Sequence, residues 1–209
     1  MTGQKAAIAR LGWLRDQSGA AAVEFALVVL LLVTFIFGAI DLSRMGWDWN
    51  RAATATQAGA RFAVVNDMVA AELQNFDALG LLNEDGTRVL APGDDVDSVE
   101  INGGEPVVCT ATGCSEGFTK IDDAFDRIVA RMQRVHPGIQ PENVVVEYTH
   151  VGLGFAGNPF GSDISPLVTV SLQDMEFQFV TPGLYGIVGG IALPPFLTTL
   201  SGEDYATGS

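Results

Sequence analysis

The longest apolar stretch of the chain, residues 20–40, is interrupted only by Glu24, Thr34 and Gly38. As a helix these 21 residues would reach about 31 Å, the thickness of a bilayer's hydrocarbon core. Residues 25–37 hold no charge and no proline, and the helix of a soluble core is rarely so apolar for so long. A membrane helix is therefore expected. The helical pattern then continues, because residues 41–76 lack proline and are rich in alanine, the best helix former. Larger apolar residues, among them Leu42, Met45, Trp49, Phe62, Val65, Val69 and Leu73, recur near a 3.6-residue period. Gly59 weakens this run locally, by about 1 kcal/mol relative to alanine. The pattern predicts one long helix, its first half in lipid and its second half laid against a globular head. Trp47 and Trp49 lie just past the span and fit either the headgroup level or the head's core.

Beyond that helix the period shortens. Residues 77–106 are rich in Gly, Asp and Asn and predict loops with short strands, such as residues 99–101. Residues 121–135 read as an amphipathic helix, with Asp122 and Asp123 early, Arg127, Arg131 and Arg134 late, and His136-Pro137-Gly138 as the stop. Residues 144–148, 167–172 and 176–180 read as strands, the last two pairing as neighbours across Gln173-Asp174. Residues 184–200 form a second apolar stretch, but its glycines and the Pro194-Pro195 pair break a membrane helix. A loop or short helix on the sheet is the stronger reading, and contact with the membrane surface or a neighbouring subunit is another. The expected fold is α+β: a long N-terminal helix packed on a small antiparallel-sheet head with one further amphipathic helix. Its parts are a basic leader (1–19), a transmembrane helix (20–40), a helix extension (41–76) and an extracytoplasmic head (77–209).

Charge orients this arrangement. The chain carries 11 Lys+Arg against 25 Asp+Glu, a net −14, yet residues 1–19 carry Lys5, Arg10 and Arg15 against Asp16 alone. Basic residues favour the cytoplasmic side, which puts the N-terminus inside and the head outside a cytoplasmic (inner) membrane, as a single-pass protein. Arg44 and Arg51 argue mildly the other way. The acidic balance excludes nucleic acid as a partner, since phosphate binding needs a basic surface. With 48% hydrophobic residues the chain is not disordered.

The candidate chemistry is sparse. Cys109 and Cys114 are the only cysteines, and an outside location permits a disulfide stapling a hairpin tip; free thiols are the alternative. Two cysteines make no zinc site without histidines, and His136 and His150 have no ligand-like spacing to them. The Asp94-Asp95-Val96-Asp97 cluster lacks the glycine and distal glutamate of a calcium loop and reads as a solvated turn. The glycine-rich residues 152–157 precede Asn158-Pro159, not a helix, and so fail as a nucleotide-binding turn. No catalytic residue, metal or cofactor is expected.

The order of elements at the amino end is more telling. A secretory signal places its apolar core before the small-residue cut site, so that cleavage discards it. Here the small-residue site, Ser18-Gly19-Ala20, comes first, and a cut between Gly19 and Ala20 would leave the apolar helix as the new N-terminus. Prepilins are built this way. Glu24 would then lie one helical turn from the amine of Ala20 and could pair with it, or with that of an adjacent subunit. The alternative is an interfacial glutamate snorkelling to water. Intramembrane carboxylates are functional candidates by default.

The run Gly19-Ala-Ala-Ala-Val-Glu24-Phe25, with Phe37-Gly-Ala-Ile-Asp-Leu-Ser-Arg44 and Ala58-Gly-Ala-Arg-Phe62, resembles the TadE-like family of minor pilins or pseudopilins of the tight-adherence (Flp, type IVc) pilus system. A Pro-Leu-Val-Thr-Val strand at 166–170 is similar to a late strand of such proteins. The resemblance implies cleavage at Gly19-Ala20 by prepilin peptidase, with Glu24 and Phe25 serving recognition and assembly. It also implies as partners other pilins through the N-terminal helix, the inner-membrane assembly platform and the lipid bilayer, with adhesion downstream. Members often carry a proline inside the apolar run; residues 30–35 have none. An uncleaved, single-pass anchored binding domain is the competing reading.

Overall fold

The structure, a computed structural model, describes residues 18–98, 101–159, 161–180 and 190–202. Most of the expected leader, together with residues 99–100 of the expected short strand and 184–189 of the second apolar stretch, lies outside them. The chain divides into two compact units. The first contains helix α1 (Ser18–Ala63) up to Met45, with residues from Gln178 onward. The second contains the rest of α1 from Gly46, the chain through Phe177, and the strands after Gly190.

In the first unit the apolar side chains of α1 are uncovered: Phe25 and Phe35 are 71% and 76% exposed. Among the described residues α1 is the one helix long and apolar enough to cross a membrane. Its hydroxyls are satisfied internally, Thr34 donating to the Leu30 carbonyl and Ser43 to that of Ala39, each at 2.8 Å. That is the usual way for such groups to avoid orphaned polarity in a helix. The carboxylate of Asp41 is buried and accepts from the Val180 amide at 3.0 Å and the Arg44 guanidinium at 3.4 Å.

The second unit is an α+β head. Strands β1 (Val107–Thr110), β2 (Gly113–Cys114), β3 (Val144–Thr149), β4 (Leu167–Leu172) and β7 (Phe196–Ser201) form an antiparallel sheet in the order β2-β1-β3-β4-β7. A separate two-stranded ribbon joins β5 (Glu176–Phe177) and β6 (Ile191–Ala192). Alternation sets the faces: Val144, Val146 and Tyr148 of β3 and Val168, Val170 and Leu172 of β4 are buried. The intervening positions are partly open, and there Thr169 and Thr199 join hydroxyls across strands at 2.8 Å. Helix α3 (Asp122–Gln133) buries Phe125, Ile128, Val129 and Met132, each such side chain contributing about 1.5–3 kcal/mol. The expected helix and the strands at 144–148 and 167–172 are thus found.

The head half of α1 buries small residues: Ala52, Ala55, Thr56, Gly59, Ala60 and Ala63. Their spacing of three and four marks one helical face. Gly59 shows why they are small, because a Cβ there would stand 2.8 Å from the Met132 side chain and 3.3 Å from that of Val170. The helix, α3 and β4 meet at that point. Trp49 packs edge-on against Phe196, ring centroids 4.9 Å apart, so it belongs to the head, whereas Trp47 is 67% exposed.

Three expectations need correction. The helix ends at Ala63, not near residue 76, and a single turn, α2 (Ala71–Gln74), follows. Val64 and Val65 are β-branched and Asn66 and Asp67 favour turns; the Asn66 amide donates to the Phe62 carbonyl at 2.8 Å and closes the helix. Residues 69–71 then take non-helical partners: the Val69 amide donates to the Tyr148 hydroxyl (2.8 Å), and its carbonyl accepts from Ile121 (2.7 Å). Second, β5 pairs with β6 and not with β4. Asp174 adopts a left-handed φ of 55° and the Asn143 amide holds the carbonyls of Gln173 and Asp174, turning the chain out of the sheet. Third, the described part of the second apolar stretch is extended, not a loop or helix; Pro194-Pro195 separates β6 from β7, and β7 takes the edge beside β4. In addition Ile101, expected to end a strand, begins a 3-10 turn, Ile101–Gly104.

Candidate functional site

Gly19 sits in the first turn of α1, and among the described residues, its own helix backbone aside, no atom lies within 4 Å of where a Cβ would project. Its backbone is helical, not left-handed. Neither crowding nor conformation demands glycine there, although glycine costs a helix about 1 kcal/mol. Ala20, Glu24 and Phe25 follow on the same helix, all exposed. Glu24 is four residues after Ala20, so the two lie on one face a turn apart. Among the described residues no side chain pairs with Glu24. A carboxylate at that depth would cost roughly 2.5–3.5 kcal/mol at the centre of a membrane helix, and less near its end.

Sequence reasoning named Asp41 only as part of the run from Phe37 to Arg44, but in the first unit it is buried. One oxygen binds Val180 and Arg44 as above, and the other is buried without a hydrogen-bond partner. The signal available was its place inside residues 37–44, directly where the apolar run ends.

The remaining candidates separate in space and in role. Cys109 and Cys114 face each other across β1 and β2 and are joined by a disulfide, S–S 1.99 Å. His136 follows α3; burial pushes its pKa below the usual 6.5, Asp48 raises it and Arg51 adds to the lowering. His150 follows β3 and places Nε2 3.1 Å from the Val96 carbonyl. Among the described residues no group of three or more His, Cys, Asp or Glu could hold a metal ion.

The glycine-rich residues 152–157 are structural. Gly154 has φ 128° and pairs with Ile164, and a Cβ there would strike the Asp163 carbonyl. The amides a phosphate would use are already engaged: buried Asp163 accepts from Gly157 (3.0 Å), Asn158 (2.8 Å) and Ala78 (2.6 Å). Asp163 was not singled out by sequence reasoning; an aspartate six residues after a glycine turn carries no distinctive pattern. In the acidic cluster, Asp94 accepts from the Ala91 amide at 2.9 Å and Asp95 bridges to Phe155, a turn held by its own backbone. Tyr148 is fully buried, and burial pushes its phenol pKa up.

The features that remain unexplained by packing therefore gather at the start of α1. They define a chain with one helix able to span a membrane and an α+β head. Residues 19–61 match the model of a protein family described as TadE-like protein. Over that segment the resemblance read from Gly19, Glu24 and Phe25 holds. No curated protein and no solved structure matches it.

Proposed function

We propose that this chain is a minor pilin or pseudopilin of a tight-adherence pilus, anchored by α1 until prepilin peptidase cuts between Gly19 and Ala20. The observation that carries the reading is a glycine that the described packing does not call for, five residues before a glutamate with no partner among the described residues, inside the segment matching TadE-like proteins. The peptidase needs a small residue at the cut, which accounts for Gly19. Assembly needs a carboxylate to meet a new N-terminal amine, which accounts for Glu24. The uncovered apolar half of α1 serves first as the anchor and then as the surface that joins other pilin helices. The head, outside the cytoplasm, supports adhesion.

N-terminal sequencing of the protein extracted from membranes tests the cut: a chain beginning at Ala20 is expected, and one beginning at Met1 beside an active peptidase would leave only an anchored binding domain. Glu24→Ala should insert normally yet lose filament incorporation by tenfold or so, the loss of about 1.4 kcal/mol of pairing. Unchanged incorporation in sheared-filament fractions would remove the pairing role.

A further inference from the structure

The face of α1 adjoining its buried one is open along the head. Two hollows, of about 360 and 270 Å³, share Thr54 and run together from Trp47 to Val65. Trp47, Thr54, Ala58, Arg61, Phe62 and Val65 recur at helical spacing along the floor, and Arg131 of α3 stands on the opposite wall. At the α-helical rise the helical part of this trough, from Trp47 to Phe62, is about 22 Å long. Trp47 and Val65 are large apolar groups more than half exposed within it. Arg51 is engaged, its guanidinium donating twice to the Val135 carbonyl at 3.0 and 2.8 Å. Arg61 and Arg131 are exposed and have no ion-pair partner among the described residues.

Two unpaired guanidiniums facing one trough are conspicuous in a chain with 25 Asp+Glu and a net charge of −14. We propose that the trough receives an acidic amphipathic helix of a different protein, its apolar stripe on Phe62 and Val65 and its carboxylates on Arg61 and Arg131. Charge complementarity selects an anionic occupant, and a long trough lined by one helix face selects a rod over a planar surface. A second copy is disfavoured: beyond its span α1 carries Arg44, Arg51 and Arg61 against Asp41 and Asp48, and α3 turns its apolar face inward. The inference is independent of the cleavage at Gly19, since an uncleaved anchored chain would offer the same trough.

The test uses the full chain in its own cells, with a photo-crosslinking residue at Gln57, an exposed position on the trough. Mass spectrometry of the product should identify a segment of another protein with Asp or Glu beside apolar residues at three- and four-residue spacing. Arg61→Glu with Arg131→Glu should lower the yield about tenfold, whereas Lys at both positions should retain most of it. Yield in isolated membranes should also fall as salt is raised, a readout independent of any variant's folding. Crosslinking to lipid, to another copy of this chain, to a segment without acidic residues, or to nothing would overturn the proposal, as would a yield indifferent to charge reversal and salt.

Discussion

Helix α1 carries Gly19 near its start and Gly59 near its end, and the same residue answers opposite demands in the two halves. At Gly59 a neighbouring helix and strand come within contact distance, so the absent side chain is what allows the head to close. At Gly19 no described residue outside the helix's own backbone is near, so the described packing does not call for the glycine, which costs helix stability. Two acids differ likewise: Asp163 of the head is tied to three backbone amides, while no described side chain pairs with Glu24.

The contrast can be broken at either end. Gly19→Val should abolish cleavage, moving the sequenced N-terminus from Ala20 to Met1, while the thermal unfolding of the head stays put; a shifted melting point with normal cleavage would reverse the assignment. Gly59→Val should do the opposite, destabilising the head by about 2–3 kcal/mol through overpacking against Met132 and leaving the cut site intact, measured by chemical denaturation. Tyr148→Phe should cost about 1–2 kcal/mol, because the buried Val69 amide loses its acceptor.

The smallest effect concerns pH. Burial holds His136 below its unfolded value of 6.5, so the folded head keeps it neutral where the unfolded chain takes up a proton. Its contribution is fully present above pH 6.5 and is lost as pH falls through the folded value. Denaturation midpoints should therefore decline on acidification, and His136→Gln should flatten that decline. An unchanged slope would show that His136 titrates as if exposed.

The apolar run, α3 and the strands at β3 and β4 were legible because each has a period that one chain segment sets by itself. The contact face of α1 was not: the sequence advertises Phe62 and Val65, but the helix buries Ala52, Ala55, Gly59 and Ala60 instead. Close approach is a property of two surfaces, and only one of them is written in α1. The end of the helix was misjudged for the same reason, since residues 69–71 are claimed by Tyr148 and by residues 119–121, far along the chain. Likewise β7 was hidden in an apolar, proline-broken stretch because its partner, β4, is remote. At the candidate site the balance is inverted. Gly19 and Glu24 stand out in the sequence through local order and not through tertiary contact, whereas the burial and bonding of Asp41 appear only with its bond to Val180.

The register that sets Thr169 opposite Thr199 has a consequence for biogenesis. Synthesised from its amino end, the chain holds the outer margin of β4 bare until residue 201 has been made, because nothing earlier in the sequence occupies that place. A prematurely terminated product would present an unsaturated strand edge, the kind of surface that chaperones and proteases recognise. The seam between β4 and β7 therefore closes only once β7 has been made.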